Sequence, residues 1–516
     1  MKNSISIIII ALLLSACGTK PKPPADITKY ASTITSSELK EMLYTYASDE
    51  FEGRETGEPG QKKAVNYIKD HYVSMEIPSP ISEDNYFQKV PLELQKIPNI
   101  EMSINGKSAT MFDDFISMGS VDTQTLTIDE LVYAGYGIHT ESYSDYTNLD
   151  VKGKIVLVKA GEPINADSTY ITSGTKEPTK WSKGRSGRSS KKTVAEEFGA
   201  KGIFIVDTAA YDYYSNIYRT RKESNWPGRM TGTSQNDTML YLLITETLAK
   251  TLVSDLNIND QGRIIKAKVK MNLENEATPV DSENVVAFIK GSEKPDEILV
   301  ISSHLDHIGL TKDGDVNNGA DDDGSGTVAM LEIAEAFKTA VKDGYRPKRS
   351  ILFLHVTGEE KGLLGSSHYT DNDPIFPLNN TVANLNIDMI GRIDPNRKGN
   401  RNYVYLIGSD RLSTELHELS ETMNQKYTKI ELDYTYNADS DPNRYYYRSD
   451  HYNFAKNNVP IIFYFNGTHD DYHRPSDTAD KIEYDLLENR TRLVFYTAWE
   501  IANRDTRPFV DKATLK

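Results

Sequence analysis

Glu359 and Glu360 follow the apolar run Ile351 to Val356, separated from it only by Thr357 and Gly358. Adjacent side chains leaving a strand point to different sides, so one carboxylate can ligate a cation while its neighbour faces a water to be deprotonated. Four further groups with metal or acid–base chemistry also lie beside apolar runs: His304-Leu305-Asp306, Asp321-Asp322-Asp323-Gly324-Ser325-Gly326, Asp388 and Tyr472-His473. One such cluster carries little information. Five in this order predict hydrolysis at a pair of zinc ions.

Each cluster has a plainer reading on its own. His304 and Asp306, two residues apart, point the same way from an extended chain, and a metal-bound His gives its other ring N–H to a carboxylate such as Asp306. A lone His-x-Asp is otherwise an ordinary surface or core histidine. Asp321 to Asp323 precede a helix, where acids can cap the N-terminus and meet its dipole, yet three in a row cannot all cap one helix. Glu359 and Glu360 in isolation read as solvated loop acids. Asp388 closes Leu385-Asn386-Ile387, where an unpaired carboxylate is costly and a cation removes the cost. Among the other histidines, His451 in Arg448-Ser449-Asp450-His451 competes with His473, whereas His307, His355 and His368 read as bystanders.

These side chains need a rigid frame. The runs Val285 to Ile289, Ile298 to Ser302, Ile351 to Val356, Val382 to Ile387, Val404 to Ile407 and Ile461 to Phe465 read as strands. Apolar on both faces and spaced by helices such as Thr327 to Lys342, they predict an α/β sheet covered on both sides, with its site at the strands' carboxyl ends. Ahead of them, Ser36 to Tyr72 has helical periodicity, broken at Gly53-Arg54-Glu55-Thr56-Gly57, and reads as support with no chemistry of its own. From Met118 to Leu273 short β-like runs and Gly-rich turns take over, with a helix expected over Thr193 to Phe198. There Asp145-Tyr146, Leu149, Val151-Lys152-Gly153-Lys154-Ile155-Val156 and Gly199-Ala200-Lys201-Gly202 resemble the protease-associated domain. The expected organisation is a catalytic domain in two parts, 36–117 and 274–516, interrupted by an insert over 118–273.

At 516 residues the chain exceeds the roughly 250–300 at which single cores stop growing, which fits two domains. A net charge of −16 argues against nucleic acid as a partner. Met1-Lys2 followed by the apolar run Ile5 to Leu14 reads as an export signal over 1–16, because fewer than about 18 apolar residues do not span a bilayer comfortably. Leu14-Ser15-Ala16-Cys17 resembles the bacterial lipobox, which implies cleavage before Cys17, lipidation of its thiol and an anchored protein in the bacterial cell envelope, periplasmic or outer-surface. Cys17 is the only cysteine, so no disulfide is expected. The Pro-rich stretch Gly18 to Pro24 reads as part of an extended tether over 17–35.

Taken together, His304, Asp322, Glu359, Glu360, Asp388 and Tyr472-His473 resemble peptidase family 28, the di-zinc aminopeptidases and glutamate carboxypeptidases, whose relatives include transferrin receptors and glutaminyl cyclases. The resemblance implies a zinc-exopeptidase-like mixed sheet flanked by helices, with a β-rich insert, and a peptide substrate. It also implies that His304, Asp322 and Asp388 hold one zinc, that Asp322, Glu360 and His473 hold the other, and that Asp322 bridges. Glu359 then matches the general base, Asp306 the His-orienting carboxylate and Tyr472 a phenol that steadies an oxyanion. Asp321 stands where the family usually has Asn. The expected reaction is removal of an amino-terminal residue by a hydroxide shared between metals roughly 3.5–4 Å apart. A carboxypeptidase, with Arg392, Arg444 or Arg448 as carboxylate clamp, a glutaminyl cyclase and a non-catalytic ectodomain are the competing readings. The Tyr-rich segment Tyr434 to Tyr447 either lines a subsite or is a solvated loop.

Overall fold

Unbroken apolar runs can be buried on both faces, which suits the centre of a parallel sheet. In a computed structural model that describes residues 23–224, 226–233 and 239–512, four such strands lie side by side and parallel: Ile461–Phe465, Thr381–Ile387, Lys294–His304 and Arg349–Val356. Beyond Arg349–Val356 the sheet continues antiparallel through Ala277–Ile289, Phe87–Gln95 and Arg229–Gly232. Beyond Ile461–Phe465 comes antiparallel Tyr403–Ile407, with Glu431–Asp433 parallel to it at the margin. The result is the mixed, helix-flanked α/β sheet that the apolar runs predict, nine strands wide.

Alternation along each strand divides the core. Val285, Ala287, Leu299, Ile301, Ile351 and Phe353 meet the helices Ser36–Tyr46, Pro59–Ser74, Gly326–Lys342 and Tyr484–Asn503 on one face. Val286, Ile298, Val300, Leu352 and Leu354 pack with Tyr369 and Phe454 on the other. With both faces covered, the strand ends are the place left for a site.

A second, eight-stranded sheet runs Lys107–Ala109, Asn99–Ile104, Arg263–Glu274, Gln124–Tyr133, Ile155–Lys159, Gly202–Val206, Leu240–Ile244 and Phe115–Ser117. It therefore takes in Asn99 to Ser117, which the sequence assigns to the first catalytic part. Asn99–Ile104 pairs with Val269 to Glu274, far downstream, and no local pattern reports such a partner. The helix expected over Thr193 to Phe198 begins at Gly184, since its first turns are polar and carry no periodic signal. Arg229–Gly232, inside the expected insert, crosses back to edge the larger sheet.

The expected 17–35 tether is corrected in its second half. Asp26 caps a short helix, Ile27–Ala31, and Tyr30, Ala31 and Ile34 are buried, with Tyr30 stacked on Trp499 at 5.7 Å between centroids. Apolar residues there have a core to join. The expected signal and Cys17 lie outside the described residues. Among those residues no helix is long and apolar enough to cross a membrane.

Candidate metal centre

Lys294–His304 ends in His304, Thr381–Ile387 is followed directly by Asp388, and the turn after Arg349–Val356 carries Glu359 and Glu360. Asp322 comes from the irregular turn Ala320–Ser325 ahead of helix Gly326–Lys342, and His473 from the loop after Ile461–Phe465. These five segments converge at one end of the sheet. Asp322 spans the middle, with Oδ1 3.2 Å from His304 Nε2 and Oδ2 3.1 Å from His473 Nε2. Asp388 Oδ1 is 3.6 Å from the same His304 nitrogen, and Glu360 Oε1 is 3.1 Å from the same His473 nitrogen. Two groups of donors thus share one carboxylate.

These approaches are not hydrogen bonds. His304 Nε2, Asp322 Oδ2 and Glu360 Oε1 are buried and lack any hydrogen-bond partner. A buried polar atom left unpaired costs about 1–3 kcal/mol, more if charged, so lone pairs that converge without bonding fit cations between them. Imidazole and carboxylate donors suit zinc.

Without cations, protons must hold the acids together. Burial works against charge on His473, but Asp322 and Glu360 push its pKa up from 6.5 to about 10. Burial likewise opposes charge on Asp322, yet His304 and His473 hold that carboxyl well below its usual range. A raised histidine pKa contributes stability that is fully present below about 6.5 and is lost as pH rises through 10. The metal-free protein is therefore expected to lose thermal stability between pH 6.5 and 10 in a way the zinc-loaded protein does not, because the ion then replaces the proton. Coincident profiles for the two forms would contradict this.

The surrounding residues have defined tasks. His304 Nδ1 meets the backbone carbonyl of Asp306 at 3.0 Å, whereas the Asp306 carboxylate, expected to orient the ring, stands 3.8 Å off. That carboxylate instead accepts the Glu359 amide at 3.2 Å and the Thr56 hydroxyl at 2.8 Å. The two-residue spacing is right, but the chain turns after His304, so the carbonyl reaches the ring and the side chain reaches the glutamate turn. Asp323 is fully used by the amides of His304, Gly326 and Met389, which leaves Asp322 as the free acid of the three. Asp321 accepts the Gly391 amide and the Asn466 side chain, tying two loops together. Asp477 accepts the amides of Asp321 and Asp322.

Support also comes from where the sequence predicts none. Buried Arg54, in the Gly-rich break of the first helices, donates to the carbonyls of Asn318 at 2.7 Å and Gly319 at 2.9 Å, immediately before the acidic turn. An arginine inside a Gly-rich break was the available signal. Thr56 acts beside it through Asp306.

The other candidates separate cleanly. His451 does not compete with His473: its Nε2 meets the Tyr446 carbonyl at 2.8 Å and its ring stacks on Phe463. His355 lies between Tyr72 and Ser303, and His368 is 3.9 Å from Asp373. His307 is no bystander, with Nδ1 2.9 Å from Glu360 Oε1. Arg392 is committed to Asp471 at 2.9 Å, and exposed Arg444 lies over Tyr447. Arg448 reaches a narrow cleft beside the centre, lined also by Asp322, Glu359, Asp388, Tyr472, Met389, Tyr445, Phe463 and Phe465. Of the Tyr-rich segment, Tyr445 alone lines this cleft, packed 5.0 Å from Phe465 and 4.8 Å from Tyr436. Tyr472 stacks on His473 at 3.9 Å, and burial with the nearby Asp322 carboxylate raises its pKa, keeping it a phenol that can donate.

Two overlapping sets of imidazole and carboxylate donors, with a glutamate left facing the cleft, make this the centre of a metal-dependent hydrolase. Residues 284–498 match peptidase family M28. Aminopeptidase YwaD of Bacillus subtilis is 24% identical to it over 541 aligned positions, spanning 100% of this chain and 98% of the relative. The Arabidopsis thaliana protein named Probable glutamate carboxypeptidase LAMP1 is 30% identical over 145 residues, which are 28% of this chain and 20% of that protein. A solved zinc aminopeptidase from Bacillus subtilis aligns over 93% of this chain and 98% of its own, with 20% identity and a TM-score of 0.46.

Proposed function

We propose that this protein is a zinc-dependent aminopeptidase working with two zinc ions, one held by His304, Asp322 and Asp388 and the other by Asp322, Glu360 and His473. The observation that carries this reading is the Asp322 carboxylate, whose two oxygens address two different histidines while Glu359 remains free at the cleft. When bound, such ions would lower the pKa of a water at the cleft and polarise the scissile carbonyl.

The remaining steps fall to side chains. Glu359, held in place through its own amide by Asp306, accepts the proton of the attacking water and passes it to the leaving amine. Burial and the neighbouring Asp388 and Glu360 charges raise its pKa against the pull of His304, which favours holding that proton between the two transfers. Tyr472 donates to the oxygen that gains charge, a contribution of order 10²–10³ in rate for one such donor. Asp306 and Asp477 only position.

A free amino terminus suits the acidic end of the cleft, and an apolar side chain suits the end made by Met389, Tyr445, Phe463 and Phe465. The full-length similarity to an aminopeptidase supports the same direction. A carboxypeptidase would need a clamp, and Arg448 is exposed and lies over the Tyr445 ring. The test is a panel of free and amino-acetylated peptides with apolar first residues, with zinc or chelator added. Release of the first residue from free peptides only, abolished by chelation, is expected; cleavage of blocked peptides from the carboxyl end, or cyclisation of amino-terminal glutamine without release, would replace the reading.

A further inference from the structure

We propose that His307 is a direct ligand of the cation addressed by Glu360 and His473, giving that position four protein donors with Asp322 against three at its neighbour; the inference rests on the two-zinc reading above. His307 is fully buried, and neither ring nitrogen has a hydrogen-bond partner. By contrast, buried His355 is held by Tyr72 and Ser303, and buried His451 by the Tyr446 carbonyl, each through at least one ring nitrogen. His307 Nδ1 nevertheless stands 2.9 Å from Glu360 Oε1 and 3.8 Å from Asp322 Oδ2. Both oxygens are themselves unpartnered. Three donors from three segments thus aim at one point without bonding to each other, as ligands of a shared ion do.

The ring is held there by its surroundings. The His307 amide donates to the Arg54 carbonyl at 3.2 Å, so the arginine that braces the Asn318-Gly319 turn also fixes this backbone. Gly319, at φ +56°, lies against the imidazole, and a Cβ there would fall 2.6 Å from its Cγ and Cδ2. Across the site the ring meets His473 edge-on, with centroids 5.7 Å apart. Two imidazoles and two carboxylates form a complete tetrahedral zinc set, whereas the His304 position keeps a place open. The two cations are then unequal. The four-donor position fills first and holds its ion through dilution, while the three-donor position exchanges.

The experiment uses the full chain. Zinc content is measured after dialysis against graded free zinc for the wild type, H307A and H307N, and the cadmium-113 resonances of the wild type carrying nitrogen-15 histidine are recorded. Two zinc ions in the wild type are expected, with one position in both variants needing at least about tenfold more free zinc to fill. A residue that merely orients Glu360 could also weaken binding, so the cadmium spectrum decides: three histidine nitrogens should couple to cadmium, two of them to one ion. Two bound ions with only two coupled histidines, or variants that fill both positions like the wild type, overturn ligation by His307 alone. Fewer than two ions in the wild type overturns the two-zinc reading itself. Should a variant fail to fold, the wild-type spectrum still gives the answer.

Discussion

Glu359→Gln keeps the full zinc content of the protein and loses about 10²–10⁴-fold in kcat, the range by which a general base accelerates a proton transfer. The expectation follows from how the residue is held. Its amide is bonded to Asp306 and its carboxylate faces the cleft with Asp322 and Asp388, so an isosteric amide leaves the donors in place and removes only proton transfer. Its neighbour Glu360 points instead at His473 and His307. Elemental analysis paired with steady-state hydrolysis of a free-amino peptide checks both halves. Lost zinc would make Glu359 a ligand, and an unchanged kcat would remove it from the reaction.

Asp322→Ala is expected to weaken both positions at once and abolish turnover, because it deletes the one carboxylate whose oxygens reach both His304 and His473. Asp388→Ala should be milder, costing the ion at His304 and sparing the other, since Asp388 approaches only His304. The contrast is in stoichiometry. At limiting free zinc both positions should fall short of full occupancy in the first variant and only one in the second, and equal losses in the two would show that Asp322 does not bridge.

The frame and the donors were legible in the sequence for the same reason. Strands buried on both faces must be unbroken apolar runs, and a charged residue at the tip of such a run, like Asp388, stands out against its neighbours. What stayed hidden depends on where the chain turns. Asp306 was expected to orient His304 through its carboxylate, but its carbonyl does so, and spacing cannot report which of the two a bend brings near. His307 sits one residue further and reads as incidental until Glu360, from another strand, is placed 2.9 Å away. Arg54 and Thr56 act across more than 200 positions of sequence, on Gly319 and Asp306. The second sheet began earlier than composition suggested because Asn99–Ile104 is short and its partner distant. Tyr30 and Ile34 were hidden by the Pro-rich stretch ahead of them, although both are apolar enough to find the core.

The end of Phe87–Gln95 would be a bare margin of the larger sheet if Arg229–Gly232 did not pair with Leu92–Gln95, with Met230 packed among Val90 and Leu92. An unpaired strand edge invites pairing with another molecule. Removing Arg229–Gly232 is therefore expected to lay bare the outer backbone groups of Leu92–Gln95 and to offer a second molecule an edge to pair with.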